Sequence, residues 1–196
     1  LSPFRAVRYS WLVIRGRRIG LRARHETDVP VLHRELHEDV VSRSRTDPRP
    51  WQPIPAEGGD SPYAVGEPSE RVAVFSVVEL ESQTLAGAAV LWGIDAHNRA
   101  AHLGVSVLPS FRGRGFGSEI VQVLCTYGFS VRGMQRLQVE TLADNAPMIA
   151  AARSAGFTVE GTLRRAAWVC GAFHDEVVLG LLADEWTSRE AGDGLR

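Results

Sequence analysis

A chain of 196 residues, 44% hydrophobic and 23% charged, has ordinary globular composition and enough length for one real core. Its formal net charge of −1 excludes a nucleic-acid binder working through bulk positive charge. Two cysteines, Cys125 and Cys170, exclude a disulfide framework or a four-thiolate metal site, and the apolar run Trp11 to Ile14 is too short to cross a membrane. A cytoplasmic protein with no metal, no membrane partner and no nucleic-acid partner is expected.

The stretch WLVIRGRRIGLRA reads as strand, Arg-Gly turn and strand. The basic residues are all arginine, and those crowding Arg5 to Arg24 read as a solvated surface. In ETDVPVLHRELHEDV, the apolar Val29, Leu32, Leu36 and Val40 recur at helical spacing, Thr27 or Asp28 is a candidate cap, and Pro30 suits a first turn. His33 and His37 lie one turn apart without a third ligand nearby, so they read as a solvated helix face and not a metal site. From Asp47 to Pro68, proline, glycine and polar residues predict a long loop, the kind that often has a functional role.

Three apolar segments follow, RVAVFSVVEL, TLAGAAVLWGI and RAAHLGVSVL, joined by short polar links that predict an antiparallel meander. Pro109 ends the third. FRGRGFG then leads into a helix over SEIVQVLCTYGFSV, with Ile120, Val123, Leu124 and Tyr127 on one face. RLQVETL is a further strand, APMIAAARSA a short helix stopped by Gly156, and the segments starting at Thr158 and Asp175 a closing strand pair.

The seven residues Phe111 to Gly117 hold three glycines and two arginines between a strand and a helix. Such a run frees backbone N–H groups to converge on one point at the positive end of the helix dipole. Gly113, Gly115 and Gly117 permit close approach, and Arg112 and Arg114 add charge, so a diphosphate is the natural guest.

These residues also resemble a family. Arg112-x-x-Gly115-x-Gly117 is similar to the (Gln/Arg)-x-x-Gly-x-(Gly/Ala) acetyl-CoA signature of the GNAT N-acetyltransferases, and LADNAPMIAAARSAGFTVEGTLR resembles a segment of their RimJ/RimL-like branch. The resemblance implies one α/β (α+β) domain over 18–186, with a mixed sheet of about seven strands: an antiparallel meander, then βαβ-type units, flanked by helices. Residues 1–17 would be an extension holding the first hairpin strand, and 187–196 a polar tail. It implies acetyl-CoA as acetyl donor, with the pantetheine arm beside Val105 and Val107, the diphosphate on Arg112, Gly113, Arg114, Gly115, Phe116, Gly117 and Ser118, and Asn145 bonding the arm. The partner would be a primary amine, on a protein N-terminus or a small molecule. Family members are often dimers.

An amine must be neutral to attack a thioester, so a base is required. His102 stands where relatives often carry glutamate and is the candidate; Glu140 on the next strand is the second. A backbone N–H near Leu108 would hold the oxyanion. Met148 and Ala152 occupy positions where relatives often have serine and tyrosine, and neither can protonate a thiolate. Two other readings remain open on the sequence. One is a non-catalytic acyl-CoA sensor. The other is a dinucleotide-binding oxidoreductase, because Gly113-x-Gly115-x-x-Ser118 is a near miss to G-x-G-x-x-G and Glu140 follows at about the usual spacing.

Overall fold

A computed structural model describes residues 14–47, 49–56 and 59–186. Strands β1 (Ile14–Arg15) and β2 (Ile19–Arg22) form a hairpin that opens an eight-stranded sheet. A single 3-10 turn precedes helices α1 (Val29–Leu36) and α2 (Val40–Ser44). The meander is β3 (Val72–Glu79), β4 (Leu85–Asp95) and β5 (Ala100–Val107), followed by α3 (Phe116–Thr126), whose last turn widens into a π-turn over Tyr127–Val131. Then come β6 (Arg136–Leu142), α4 (Ala146–Ser154), β7 (Thr158–Val169) and β8 (Ala172–Leu182).

The spatial order is β1-β2-β3-β4-β5-β6-β8-β7. The single parallel pair among the described strands is β5–β6, closed through α3. Strand β8 inserts beside β6, so β7 lies at the edge. The count exceeds the expected seven because Ile14–Arg15 pairs with Gly20 and Leu21 as a strand of its own. A dinucleotide-binding fold needs a mostly parallel sheet, and this one is antiparallel everywhere but at β5–β6, so the oxidoreductase reading is overturned.

Helices α3 and α4 cover one sheet face. Ile120, Leu124, Ala151 and Ala152 pack there on Leu91, Leu103, Leu137 and Leu179, each at most 5% exposed. On the other face α1 sets Val29, Leu32 and Leu36 against Ala88, Leu108 and the loop residue Tyr63. Val40, expected in the same stripe, is 41% exposed because the helix stops at His37 and Asp39 starts a new one by accepting Ser42 N–H at 3.1 Å.

Several side chains expected in water are buried. His33 Nδ1 meets Ser61 Oγ at 3.0 Å, His37 Nε2 donates to Gln52 O at 2.9 Å, and Trp51 Nε1 donates to His37 O. The two histidines thus fasten the 47–68 loop to α1 and are not a solvated face. The arginine cluster is likewise structural where it is described. Arg22 pairs with buried Asp28, and Arg24, 8% exposed, donates to Tyr63 O and Phe75 O. Arg5 and Arg8 lie outside the described residues, as does the 187–196 tail.

Candidate active site

Strand β5 pairs with β4 along its whole length, but with β6 only at Ala100–His102. Beyond His102 the two strands part and leave a wedge. Leu108 N–H donates to Ala86 O at 2.9 Å. Antiparallel alternation then turns the main-chain groups of Ser106 and Gly104 toward β4 and those of Val105 and Val107 into the wedge. Two residues named for the pantetheine arm therefore turn toward the wedge main-chain groups that β6 does not pair, where an extended amide-bearing arm would add as a strand. The same hydrogen bond corrects the expectation for Leu108, whose N–H is already given to the sheet and is not a free oxyanion donor.

The glycine loop closes one end of the wedge. Pro109–Phe111 makes one 3-10 turn, and Arg112 returns Nε to Val107 O at 3.1 Å. Gly113 and Gly115 then take φ of +74° and +76°, where a side chain is strained. Gly115 is the N-cap of α3 with no side-chain cap, so the first N–H groups of that helix keep their donor capacity at its positive end. Ser118 lies in this first turn, and Phe116 is buried beneath it.

The arginines divide their work differently than expected. Arg114 pairs with Glu79 and lies 4.7 Å over the Phe116 ring, so its charge is anchored to β3. A residue the sequence did not flag, Arg18, completes the loop: Nη1 donates to Arg114 O at 3.0 Å and Nε to Glu119 Oε2 at 3.1 Å. Burial opposes ionisation of Glu119, but the N–H groups of Arg18 and Ile19 and the Arg18 guanidinium outweigh it and hold the carboxyl below its usual range. An acid in the first turn of α3 was readable in sequence. Its partners, about a hundred positions away, were not.

Across the wedge, Asn145 is the N-cap of α4. Its Oδ1 accepts Met148 N–H at 3.3 Å and its Nδ2 donates to Thr141 Oγ1 at 2.8 Å. One amide hydrogen remains. Ala152 is fully buried and Met148 packs against the same core, so neither presents a proton donor.

His102 stands at the apex, on the face opposite α3. Its ring stacks on Trp92 with centroids 4.3 Å apart, and its side chain is 27% exposed. Burial, with Arg136 adding and Glu140 opposing, lowers its pKa below the ordinary value, so it is neutral at neutral pH. Glu140 Oε1 lies 3.7 Å from Nδ1. Among the described residues no group of three or more His, Cys, Asp or Glu gathers as a metal site, and no helix is long and apolar enough to cross a membrane.

A wedge between β5 and β6, with a glycine loop at a helix start, can take an extended amide-bearing arm that ends in an anion. The profile of the acetyltransferase (GNAT) domain matches residues 18–158, and the chain belongs to that family. Relatives include the uncharacterised N-acetyltransferase p20 of Bacillus licheniformis, 31% identical over 57% of this chain and 63% of that protein. The spermidine N(1)-acetyltransferase of Escherichia coli K12 is 24% identical over 60% of this chain and 63% of its own. The matched stretch thus spans less than two thirds of these relatives. In fold, the chain resembles Mycobacterium smegmatis RimJ in complex with CoA-disulfide, with TM-score 0.71, 20% identity and 88% of each chain covered. It also resembles Vibrio cholerae spermidine N-acetyltransferase bound to CoA and spermine, with TM-score 0.71, 17% identity, and 86% and 97% covered.

Proposed function

We propose that this protein is an N-acetyltransferase that passes the acetyl group of acetyl-CoA directly to a primary amine. The observation that carries the reading is the main chain of Val105 and Val107, turned into the wedge with no β6 partner, beside an uncapped helix start at Gly115. The pantetheine arm would pair with the first, and the diphosphate would take the N–H groups from Gly113 to Ser118 with Arg112 nearby. Asn145 would give its remaining amide hydrogen to the arm. His102 would act as base, being neutral at neutral pH and next to the wedge apex.

The acceptor approaches on the open face that holds His102 and Glu140. Relatives and structural neighbours are named for ribosomal protein N-termini and for spermidine, and both supply a primary amine. A thiol-release assay across peptide N-termini and polyamines is the direct test. Turnover with one class assigns the acceptor, whereas tight acetyl-CoA binding without turnover on any amine would leave a non-catalytic sensor. We extend the reading to a cytoplasmic homodimer, supported by the free thiols Cys125 and Cys170 and by Trp168 and Phe173, 62% and 61% exposed on the β7–β8 hairpin. Sedimentation that gives only monomer at high concentration would sink the dimer.

A further inference from the structure

Four side chains on the open face of β5 and β6 form a chain that ends at the His102 ring. Arg136, held by Glu160 through Nη1 at 2.7 Å, donates from Nη2 to Gln138 Oε1 at 2.9 Å. That contact fixes the Gln138 amide, because its oxygen must face the guanidinium. Its Nε2 therefore faces Glu140 and donates to Oε1 at 2.6 Å. Glu140 is thus held as an acceptor, with further lone pairs to spare.

The next group is His102 Nδ1, 3.7 Å from the same Oε1. This nitrogen is buried and has no hydrogen-bond partner. A buried polar atom left unpaired is destabilising, so a nearby acceptor is a strong attractor. The ring is fixed on two other sides. Trp92 stacks on one face, and on another lies Gly93, at φ +58°, where a Cβ would lie 3.1 Å from Cδ2.

We propose that Glu140 is the positioning residue for His102: it takes the Nδ1–H, fixing the tautomer whose Nε2 carries the lone pair, and stabilises the imidazolium formed during transfer. The inference rests on His102 being the base. A movement of under an ångström converts the 3.7 Å approach into a hydrogen bond. In the step itself, the amine nitrogen bonds to the acetyl carbon and its proton passes to Nε2. The carbon–sulfur bond breaks with its electron pair on sulfur, and the thiolate then takes the proton from Nε2 or water. Until then the proton stays on the imidazole and is not passed on to Glu140, as with the orienting carboxylate of other histidine-based sites.

The charged groups around the pair are Arg136 on β6, Glu160 on β7 and Glu176 on β8. Burial, and repulsion from Glu140, raise the pKa of Glu176. Because Glu140 favours the protonated imidazole, its removal lowers the His102 pKa further.

The test is an NMR titration of His102 in the wild type and in Glu140→Gln, with Glu140→Asp as the conservative variant. The Gln variant should titrate at lower pH and lose its Nδ1–H preference, the Asp variant should recover part of both, and the acidic limb of the kcat/KM profile should follow. At neutral pH, kcat/KM of Glu140→Gln should fall roughly ten-fold or more. An identical His102 titration and tautomer in wild type and Glu140→Gln overturns the pairing. The titration is read without substrate, so it separates this inference from its premise: a fully active His102→Ala would remove the base while leaving the pairing to be judged by its own signal.

Discussion

At the scale of single residues, the sharpest constraints are those that one added carbon would break. A Cβ at Gly87 would lie 2.2 Å from the Ser106 carbonyl oxygen, a backbone atom that cannot step aside. Gly87→Ala should therefore destabilise the protein by roughly 2–4 kcal/mol, read as a lower urea midpoint, and an unchanged midpoint would show that β4 and β5 can part there. Asn145 carries two separable demands. As N-cap of α4 it accepts Met148 N–H, and under the proposed function its amide also reaches the cofactor. Asn145→Ser keeps a capping oxygen, so stability should stay near wild type while acetyl-CoA affinity falls; Asn145→Ala should lose about 1 kcal/mol of stability as well. Full affinity in both variants by calorimetry would reduce Asn145 to a cap. His102→Ala should lower kcat by roughly 100-fold or more at neutral pH, with partial recovery as pH rises and free amine accumulates. The turn glycines Gly113 and Gly115 were legible because turn chemistry is a local property. Arg18 and Glu119 were not, because their meaning lies in a contact across about a hundred positions.

At the scale of elements, periodicity located the strands and helices but misjudged the C-terminal end of α1. The spacing of Val29, Leu32, Leu36 and Val40 suits one helix, yet Asp39 prefers to cap a second, and a local side-chain bond to backbone outcompeted helix continuation. The histidines on α1 looked solvated because nothing in sequence reveals that the 47–68 loop folds back over them. That loop sets a pH dependence. Burial foremost, with repulsion from His37 and against the pull of Glu38, puts the His33 pKa below its ordinary 6.5. The folded state then binds fewer protons than the unfolded chain, so this contribution is complete above about pH 6.5 and is lost as pH falls toward the folded value. The measurement is the urea midpoint at about pH 5 and about pH 7.5, in wild type and in His33→Asn. The wild type should lose more stability on acidification than the variant, and equal losses would show that the His33 latch does not titrate in that window.

At the scale of the whole molecule, the sheet is two blocks joined at a narrow seam. Strands β1 to β5 form one and β6 to β8 the other, and only Ala100–His102 meets Arg136–Gln138 across it, with α3 and α4 packed behind. Under the proposed function, a ligand that binds the wedge acts as a missing strand. Bound at a hundred times its Kd, it would add about 2.7 kcal/mol to the unfolding free energy, a broad effect that any tight ligand gives. Hydrogen exchange makes the prediction specific. Gly104 and Ser106 turn their N–H groups toward β4, so they should exchange slowly with or without ligand. Val105 and Val107 turn theirs into the wedge, so they should exchange faster in the free protein and slow markedly when acetyl-CoA is added. Free CoA should protect them as well, because the pairing comes from the pantetheine amides and not from the acetyl group. Adenosine diphosphate, which has the phosphates without the arm, should protect the Gly113 to Ser118 loop and leave Val105 and Val107 unchanged. Uniform slowing along β5 with all three ligands would mean that they stabilise the sheet globally and that the arm does not pair with the strand.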